Sequence, residues 1–410
     1  MTGVTATGPA FVAAERVRRI RESPSSAAAA RVRELQAHGR HIVDFTVGEP
    51  DFDTPRNVKD AGIAAIEAGE TKYTPVNGTP ELRAAIRDRM LRTSGIEYGD
   101  RQITVGGGGK QVISMTFAAS LDAGDEVVIP APYWVSYPDM VAMYDGTPVV
   151  VETTRADRYK LTPAALDRAI TPRTKWVVLN APSNPSGVTY TREELESLAT
   201  VLEQYPHVRV LTDEIYDEIL FTDQRFVGFA EAAPTGVRER VFTVNGVSKS
   251  YAMTGWRLGY GVGDPALVAA VNKLQSQVSS CPSSISQAAA AEALTGDQSF
   301  VESSVAAYRA RRDLAVALLG AVPGLEPLIP DGAFYLYVDC AGLIGRSTRD
   351  GRVLETDQDV TLFLLEEAGV AVIQGSAYGT APFFRVSYAT SEAVIREGAA
   401  AIATAVETLR

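Results

Sequence analysis

Residues 101–132 read RQITVGGGGKQVISMTFAASLDAGDEVVIPAP, and this stretch decides the fold class. Its apolar residues follow an extended pattern, then a helical one, and then an extended one again. Glycines mark the points at which the pattern changes. The stretch therefore predicts strand, turn, helix, turn and strand, which is the repeating unit of an α/β fold.

The same alternation continues through the middle of the chain. Three segments begin with a short β-branched run and then enter a polar loop: residues 174–187 (TKWVVLNAPSNPSG), 207–219 (HVRVLTDEIYDEI) and 240–250 (RVFTVNGVSKS). Helical segments such as residues 191–205 lie between them. This order predicts a three-layer α/β domain, with helices on both faces of a mixed, mostly parallel sheet. Ligands bind beyond the carboxyl ends of such strands, where Asn184, Asp213 and Lys249 fall.

The length of 410 residues favours two domains, because single hydrophobic cores usually stop growing below this size. From about residue 297 the chain has a long helix rich in Ala, Arg and Glu, and then mixed strands and helices. We predict a large domain over residues 56–296 and a smaller α+β domain over residues 297–410. Residues 11–55 are expected to join the small domain. Residues 1–10, which are small and polar, are expected to be disordered.

The composition limits the function classes. A net charge of −11 disfavours nucleic acid or an anionic membrane as a partner of the whole surface. Cys281 and Cys340 form no CxxC pair, which suits a reducing compartment. Three histidines cannot form an HExxH-type metal site, so no metal is expected. The N-terminus has no long apolar core, so it resembles neither a secretory signal nor an anchor. We therefore expect a cytoplasmic protein.

The glycine run at residues 106–109, followed by Lys110, does not match the common phosphate-binding motifs. Gln111 occupies the position at which a Walker A loop needs Ser or Thr, and it also breaks a GxGxxG pattern. Two interpretations stay open. The run is either a plain tight turn before a helix, or a phosphate site made of bare backbone N–H groups and the positive end of a helix dipole.

Lys249 lies at the end of a predicted strand, between Ser248 and Ser250. Lysines at such positions are usually solvated charges. Here, however, small neighbours leave room for a bulky ligand, and Arg257 supplies a planar fork that suits phosphate. A lysine that forms a Schiff base must be partly deprotonated, which a dry pocket or a nearby cation promotes. A phosphate-bearing aldehyde would use all of these features.

Three other residues near predicted strand ends also have two interpretations. Asp213 either caps the next segment or keeps a pyridine nitrogen protonated, with the Tyr216 hydroxyl near the same ring. Asn184 is either a turn residue before proline or a hydrogen-bond partner of the ring's phenolic oxygen. Trp134 is either a core aromatic or a side chain stacked on the ring.

Seven ordered motifs resemble class I pyridoxal-phosphate aminotransferases, of fold type I. They are VGEPDFDTP (47–55), KYTPVNGTPELR (72–83), APYWVSYP (131–138), NAPSNPSG (180–187), LTDEIYDE (211–218), GVSKSYAMTGWRLG (246–259) and FRVSYAT (384–390). The resemblance extends from about Val17 to the C-terminus. It is greatest to the bacterial aspartate aminotransferases that include aspartate/prephenate enzymes.

The resemblance implies pyridoxal 5′-phosphate as cofactor and a homodimer with shared active sites. Lys249 would carry the cofactor as a Schiff base and move the substrate proton. Asp213 would face the ring nitrogen, and Asn184 and Tyr216 would contact the phenolic oxygen, with Asp213 and Tyr216 as further catalytic residues. The other implied cofactor contacts are Gly108, Gly109, Trp134, Asn184, Ser248, Arg257 and, from a second subunit, Tyr73. The implied substrate contacts are Gly48, Lys110, Trp134, Asn184 and Arg385. Without the resemblance, Arg385 would be interpreted as a surface or salt-bridged arginine.

Two features bear on the substrate. Lys110 resembles the lysine that, in this branch of the family, contacts the distal carboxylate of the substrate. This resemblance favours dicarboxylic amino acids as substrates. Ser23 stands where relatives often carry a basic residue, and losing one charge-assisted hydrogen bond costs about 1.5–3 kcal/mol. The residues Arg19 and Arg21 are candidates to replace that charge.

The resulting expectation is a ping-pong transaminase that passes the amino group of L-aspartate to a 2-oxo acid such as 2-oxoglutarate. Glyoxylate or prephenate is the alternative acceptor. Elimination or decarboxylation is the alternative reaction, because the cofactor stabilises a carbanion whichever bond breaks. A ligand-sensing regulator is disfavoured, since the short N-terminal segment of this negatively charged chain offers no basic DNA-binding extension.

Overall fold

The computed structural model describes residues 11–22 and 24–410. Its strands are β1 Val43–Asp44, β2 Ile103–Gly106, β3 Glu126–Ala131, β4 Thr147–Glu152, β5 Thr174–Asn180, β6 Arg209–Asp213, β7 Val241–Gly246, β8 Gly259–Val262, β9 Glu326–Leu328, β10 Tyr335–Asp339, β11 Val370–Ala371, β12 Ile373–Gln374 and β13 Phe383–Ser387.

Fifteen α-helices occur in this part of the chain. They are α1 Glu15–Arg18, α2 Pro24–Ala37, α3 Arg56–Glu67, α4 Pro80–Ser94, α5 Gly109–Ser120, α6 Ser136–Met143, α7 Pro163–Ala169, α8 Arg192–Glu203, α9 Phe229–Ala232, α10 Thr235–Arg238, α11 Pro265–Val278, α12 Ser284–Thr295, α13 Ser299–Gly320, α14 Asp357–Phe363 and α15 Glu392–Val406. The strand, turn, helix, turn and strand predicted for residues 101–132 are β2, α5 and β3.

A seven-stranded sheet organises the first two thirds of the chain, in the order β2-β8-β7-β6-β5-β3-β4. β3 to β7 pair in parallel, whereas β8 runs antiparallel to both β2 and β7. The sheet is therefore mixed and mostly parallel. The predicted α/β fold class is confirmed.

Buried strands have apolar side chains on both faces, because side chains alternate along a strand. In β5, Trp176 and Val178 pack with α5 and α11 residues such as Val112 and Val268. Their neighbours Val177 and Leu179 pack on the opposite face with α8 residues such as Leu198. Helices thus cover both faces of the sheet, and this explains why the strand sequences are continuously apolar rather than alternating.

A second, antiparallel sheet has the order β12-β13-β10-β9 and belongs to the C-terminal third. Its core includes α13 and α15 side chains such as Leu319 and Ile402. The short strand β1 pairs in parallel with β11, with Val43 opposite Val370. This pairing agrees with an N-terminal segment that joins the C-terminal third. The domain boundaries at residues 55 and 296 remain a prediction.

Two negative findings apply to residues 11–22 and 24–410. None of the helices there combines the length and the apolar character needed to cross a lipid bilayer. No group of three or more His, Cys, Asp or Glu side chains there is arranged to hold a metal ion. The predicted disorder of residues 1–10 lies outside the described residues.

Candidate active site

A cavity of about 610 Å³ lies at the carboxyl ends of the central parallel strands. Eleven of the predicted site residues line it: Gly48, Gly109, Lys110, Trp134, Asn184, Asp213, Tyr216, Ser248, Lys249, Arg257 and Arg385. The sheet register explains part of this convergence. In neighbouring parallel strands Asn180 pairs with Asp213, and Asp213 pairs with Val244, so the loops that follow these strands leave the sheet at the same edge.

Lys249 lies three residues beyond the end of β7 and is half-buried. Its Nζ donates a hydrogen bond to the carbonyl oxygen of Gly48 at 2.5 Å. It also lies 5.9 Å from the ring of Tyr216 and 5.8 Å from the ring of Phe334. Removal from water lowers the pKa of Lys249 to about 8, an effect that Glu49 opposes and Arg385 reinforces. The solvated-charge interpretation is therefore wrong.

Asp213 ends β6 and is 6% exposed. One carboxylate oxygen accepts a hydrogen bond from the Tyr137 hydroxyl at 2.7 Å, and the other accepts from the Ile215 N–H at 3.4 Å. Burial raises the pKa of Asp213 to about 6, although the bond from Tyr137 lowers it. A turn follows Asp213, not a helix, so Asp213 caps no helix, although its contact with the Ile215 N–H caps that turn. A buried carboxylate at this position suits a cationic partner.

The glycine run and Arg257 form a cradle. Gly108 has a φ of +101°, and a Cβ there would lie 2.6 Å from Arg257 Nη2. α5 begins at Gly109 without a side-chain cap, which leaves its first N–H groups for another acceptor. Arg257 donates to the carbonyl oxygens of Thr254 (2.8 Å) and Gly107 (3.2 Å). This donor set fits a phosphate and favours the phosphate interpretation over a plain turn.

Trp134 and Lys110 lie together on the cavity wall. The Lys110 Nζ is 4.9 Å from the Trp134 ring centroid, a cation–π distance. Burial lowers the pKa of Lys110, with a further contribution from Arg257. Trp134 packs edge-on against Tyr137 at 5.2 Å but also lines the cavity. It therefore combines a core contact with an accessible ring.

Arg385 projects from β13 and is 2% exposed. Its guanidinium donates to the Asn184 side-chain oxygen at 3.1 Å and to the Thr46 carbonyl at 2.6 Å. Its Nε has no hydrogen-bond partner among the described residues. A buried guanidinium with an unsatisfied N–H is suited to a bound carboxylate. The surface-arginine interpretation is wrong, and Asn184 is more than a turn residue.

Two predicted residues do not line the cavity of their own chain. Gly108 adjoins the lining residue Gly109 and packs against Arg257. Tyr73 is 89% exposed, which accords with a role in another subunit. Ser23 lies outside the described residues.

Several residues that line the cavity were not predicted from the sequence as site residues, among them Arg33, Thr46, Glu49, Asn180 and Tyr335. Glu49 belongs to the VGEPDFDTP motif and Thr46 directly precedes it, so this motif could have identified both as site residues. No motif marked Arg33, because it is one of several basic residues in a helix-like N-terminal segment. Of the two arginines suggested as replacements for a basic residue at position 23, Arg19 pairs instead with Asp145 at 2.6 Å. Arg21 uses its backbone N–H to contact Asp139.

Comparison with known proteins gives consistent results. A family model described as "Aminotransferase class I and II" matches residues 40–402. The chain is 50% identical to the "Probable aspartate/prephenate aminotransferase" of Rickettsia felis, over 93% of each chain. It is 47% identical to the "Aspartate aminotransferase" of Rhizobium meliloti, over 97% of each chain.

Solved structures show the same similarity. The aspartate aminotransferase of Rhizobium meliloti superposes with a TM-score of 0.95 at 47% identity, covering 98% of this chain and 100% of that one. The aspartate aminotransferase of Thermus thermophilus, solved with maleate, gives a TM-score of 0.90 at 38% identity, covering 97% and 100%.

Proposed function

The chain belongs to the class I and II aminotransferases, and on that premise we propose that it transfers the amino group of L-aspartate to a 2-oxo acid such as 2-oxoglutarate. The observation that carries the proposal is the convergence of Lys249, Asp213, Arg257 and Arg385 on one cavity. The named activities of the relatives support aspartate as the donor.

The cofactor we propose is pyridoxal 5′-phosphate, and the described residues fit it. The uncapped start of α5, Gly108 and Arg257 would hold the phosphate. Asp213 would hold a proton on the ring nitrogen, because a buried carboxylate favours a cationic neighbour. Lys249 would supply the amine that binds the aldehyde. When bound, this cofactor withdraws electrons from the substrate's α-carbon.

The chain's own groups then have separate tasks. Arg385 would bind the substrate α-carboxylate as a planar fork, which fixes the orientation of the Cα–H bond. Lys249 Nζ would take the proton from Cα, because a lysine with a pKa of about 8 is partly neutral near physiological pH. Trp134 would cover one face of the cavity and limit the access of water.

Lys110 and Arg33 are two cations that line the cavity in addition to Lys249, Arg257 and Arg385. This excess of positive charge suits a substrate with two carboxylates, and the Thermus relative was solved with the dicarboxylate maleate. Arg33, on α2, gives the cavity a basic group although position 23 carries a serine. Prephenate, which is named for several relatives, and glyoxylate therefore stay alternative acceptors.

Lys110→Met is expected to lower kcat/KM for aspartate by about 10-fold to 100-fold, because a charge-assisted hydrogen bond contributes about 1.5–3 kcal/mol. The rate with alanine, which lacks the distal carboxylate, should change by less than about twofold. Steady-state assays of both donors on the same variant provide the internal control. An equal fall for the two donors would contradict a role for Lys110 in donor selection.

Capture of the cofactor should depend on pH through Lys249. Only the neutral amine attacks an aldehyde, and burial lowers the pKa of Lys249 to about 8. The rate at which cofactor-free protein takes up pyridoxal 5′-phosphate should rise with pH up to about 8 and level off above it. Stopped-flow absorbance measures this rate, with Nα-acetyl-lysine as the reference for an ordinary amine. A rate that climbs as steeply as the reference up to pH 10 would contradict the lowered pKa.

We propose a homodimer in which Tyr73 completes the phosphate site of the second subunit. Tyr73 is exposed, as are the apolar side chains Ile63, Ile66 and Val278. The Tyr73 loop is anchored to the start of α12, since the Thr74 N–H contacts the Cys281 sulfur and Ser284 donates to the carbonyl of Glu70. An exposed aromatic on an anchored loop is suited to a protein interface.

The overall proposal is tested by a donor and acceptor screen on the purified protein. Aspartate with 2-oxoglutarate should yield oxaloacetate and glutamate, and aspartate alone should leave the cofactor in its aminated form. Release of ammonia or carbon dioxide instead would identify elimination or decarboxylation. A clear preference for an aliphatic donor would refute the aspartate assignment.

A further inference from the structure

Tyr335 is the first residue of β10 and has no role in the family motifs quoted above. It is 1% exposed and nevertheless lines the cavity. Its hydroxyl oxygen lies 2.8 Å from that of Tyr216. Its ring centroid lies 4.4 Å from the Arg385 guanidinium carbon. One buried side chain therefore contacts two residues with different proposed partners, the cofactor and the substrate carboxylate.

A third contact connects Tyr335 to the loop that follows β1. A Cβ on Gly48 would lie 2.7 Å from the Tyr335 hydroxyl, so the loop packs directly on this group. Gly48 also accepts the hydrogen bond from Lys249. The charged groups around the tyrosine pair are Arg385, Asp213 and Lys249.

The two hydroxyls are both protonated near neutral pH. Burial raises the pKa of Tyr216 well above its usual value, with a further contribution from Tyr335, and burial also raises the pKa of Tyr335. One hydroxyl must therefore donate to the other. If a second acceptor also lies within reach of the Tyr216 hydroxyl, Tyr216 can donate its proton to that acceptor while Tyr335 donates to Tyr216. This arrangement is favourable because consecutive hydrogen bonds polarise one another.

We propose that Tyr335 is a positioning residue that directs the Tyr216 hydroxyl toward the phenolic oxygen of the cofactor and holds the Arg385 guanidinium against its ring. The inference rests on the proposed function. Tyr335, at the start of β10, would then contact both the arginine that binds the substrate carboxylate and the tyrosine that hydrogen-bonds the cofactor.

Tyr335→Phe removes the hydroxyl and keeps the ring. A weaker hydrogen bond to the phenolic oxygen destabilises its negative charge, so the bound cofactor should lose its titrating proton at a higher pH. The midpoint of the absorbance titration should rise by about 0.3 to 1 pH unit, as expected for one neutral hydrogen bond. Tyr337→Phe is the matched control: its hydroxyl, on the same strand, contacts the carbonyls of Gly375 and Thr380 instead. The control should leave the midpoint unchanged.

The route through Tyr216 is tested in a Tyr216→Phe background, where adding Tyr335→Phe should cause no further shift. Tyr335→Leu removes the ring as well and should weaken maleate binding about threefold to tenfold, because the cation–π contact to Arg385 is lost. A midpoint in Tyr335→Phe equal to that of Tyr337→Phe, or a shift that persists without the Tyr216 hydroxyl, would overturn the inference. Wild-type protein that takes up no cofactor would refute the proposed function instead.

Discussion

Lys249→Ala is expected to lower kcat by about 100-fold to 10,000-fold or more, the range that a positioned acid–base group contributes. The variant loses the amine that binds the aldehyde and the base that takes the Cα proton. Pyridoxal 5′-phosphate should still bind through the phosphate cradle but should lack the absorbance band of a lysine Schiff base. Single-turnover assays and spectra at neutral pH measure both effects.

The control for this variant is Lys273→Ala, an exposed lysine on α11. It removes the same charge and should retain wild-type activity and spectrum. Thermal unfolding of both variants checks the fold, because Lys249→Ala also deprives the Gly48 carbonyl of a donor. If Lys249→Ala keeps more than about a tenth of the activity while folded, the central role of Lys249 is disproved.

Asp213→Asn is expected to lower kcat/KM for aspartate by at least about 100-fold, since removing one partner of a buried ion pair costs about 3–5 kcal/mol. The amide keeps the shape of the side chain but carries no charge to hold a proton on the ring nitrogen. In the wild type, burial raises the pKa of Asp213 only to about 6, so the carboxylate is mostly ionised at pH 7.5. Steady-state kinetics at that pH measure the loss.

Tyr137→Phe provides a graded comparison for Asp213. It removes the 2.7 Å hydrogen bond to the carboxylate and leaves the charge in place. Its activity should fall by about tenfold, in line with one hydrogen bond to a charged group. If Tyr137→Phe and Asp213→Asn lose the same activity, the geometry of this carboxylate matters more than its charge, and the ring-nitrogen role is contradicted.

Local sequence was sufficient to predict the elements that carry the site. The change of period in residues 101–132 predicted β2, α5 and β3, and three further strand ends placed Asn184, Asp213 and Lys249 at one edge. These predictions succeeded because strand direction and hydrophobic period are encoded within short windows.

Other site contacts depend on segments that lie far apart in the sequence. Tyr137 reaches Asp213 from α6, and Tyr335 reaches Tyr216 across 119 positions. Both tyrosines fit the pattern of buried aromatics, so their sequence surroundings did not separate a packing role from a site role. Arg33 and Thr46 likewise enter the cavity only through the path of the N-terminal segment.

The pairing of β1 with β11 has a consequence for biosynthesis. Val43 can pair with Val370 only after all the residues between them have left the ribosome. Thr46 and Gly48, which follow β1 directly, supply the carbonyls that receive Arg385 and Lys249. Since vectorial synthesis delivers β11 and Arg385 long after β1, the contact between Thr46 and Arg385 forms only after translation has passed residue 385. A nascent chain that stops before β11 and β13 is therefore expected to lack the arginine proposed to bind the substrate carboxylate.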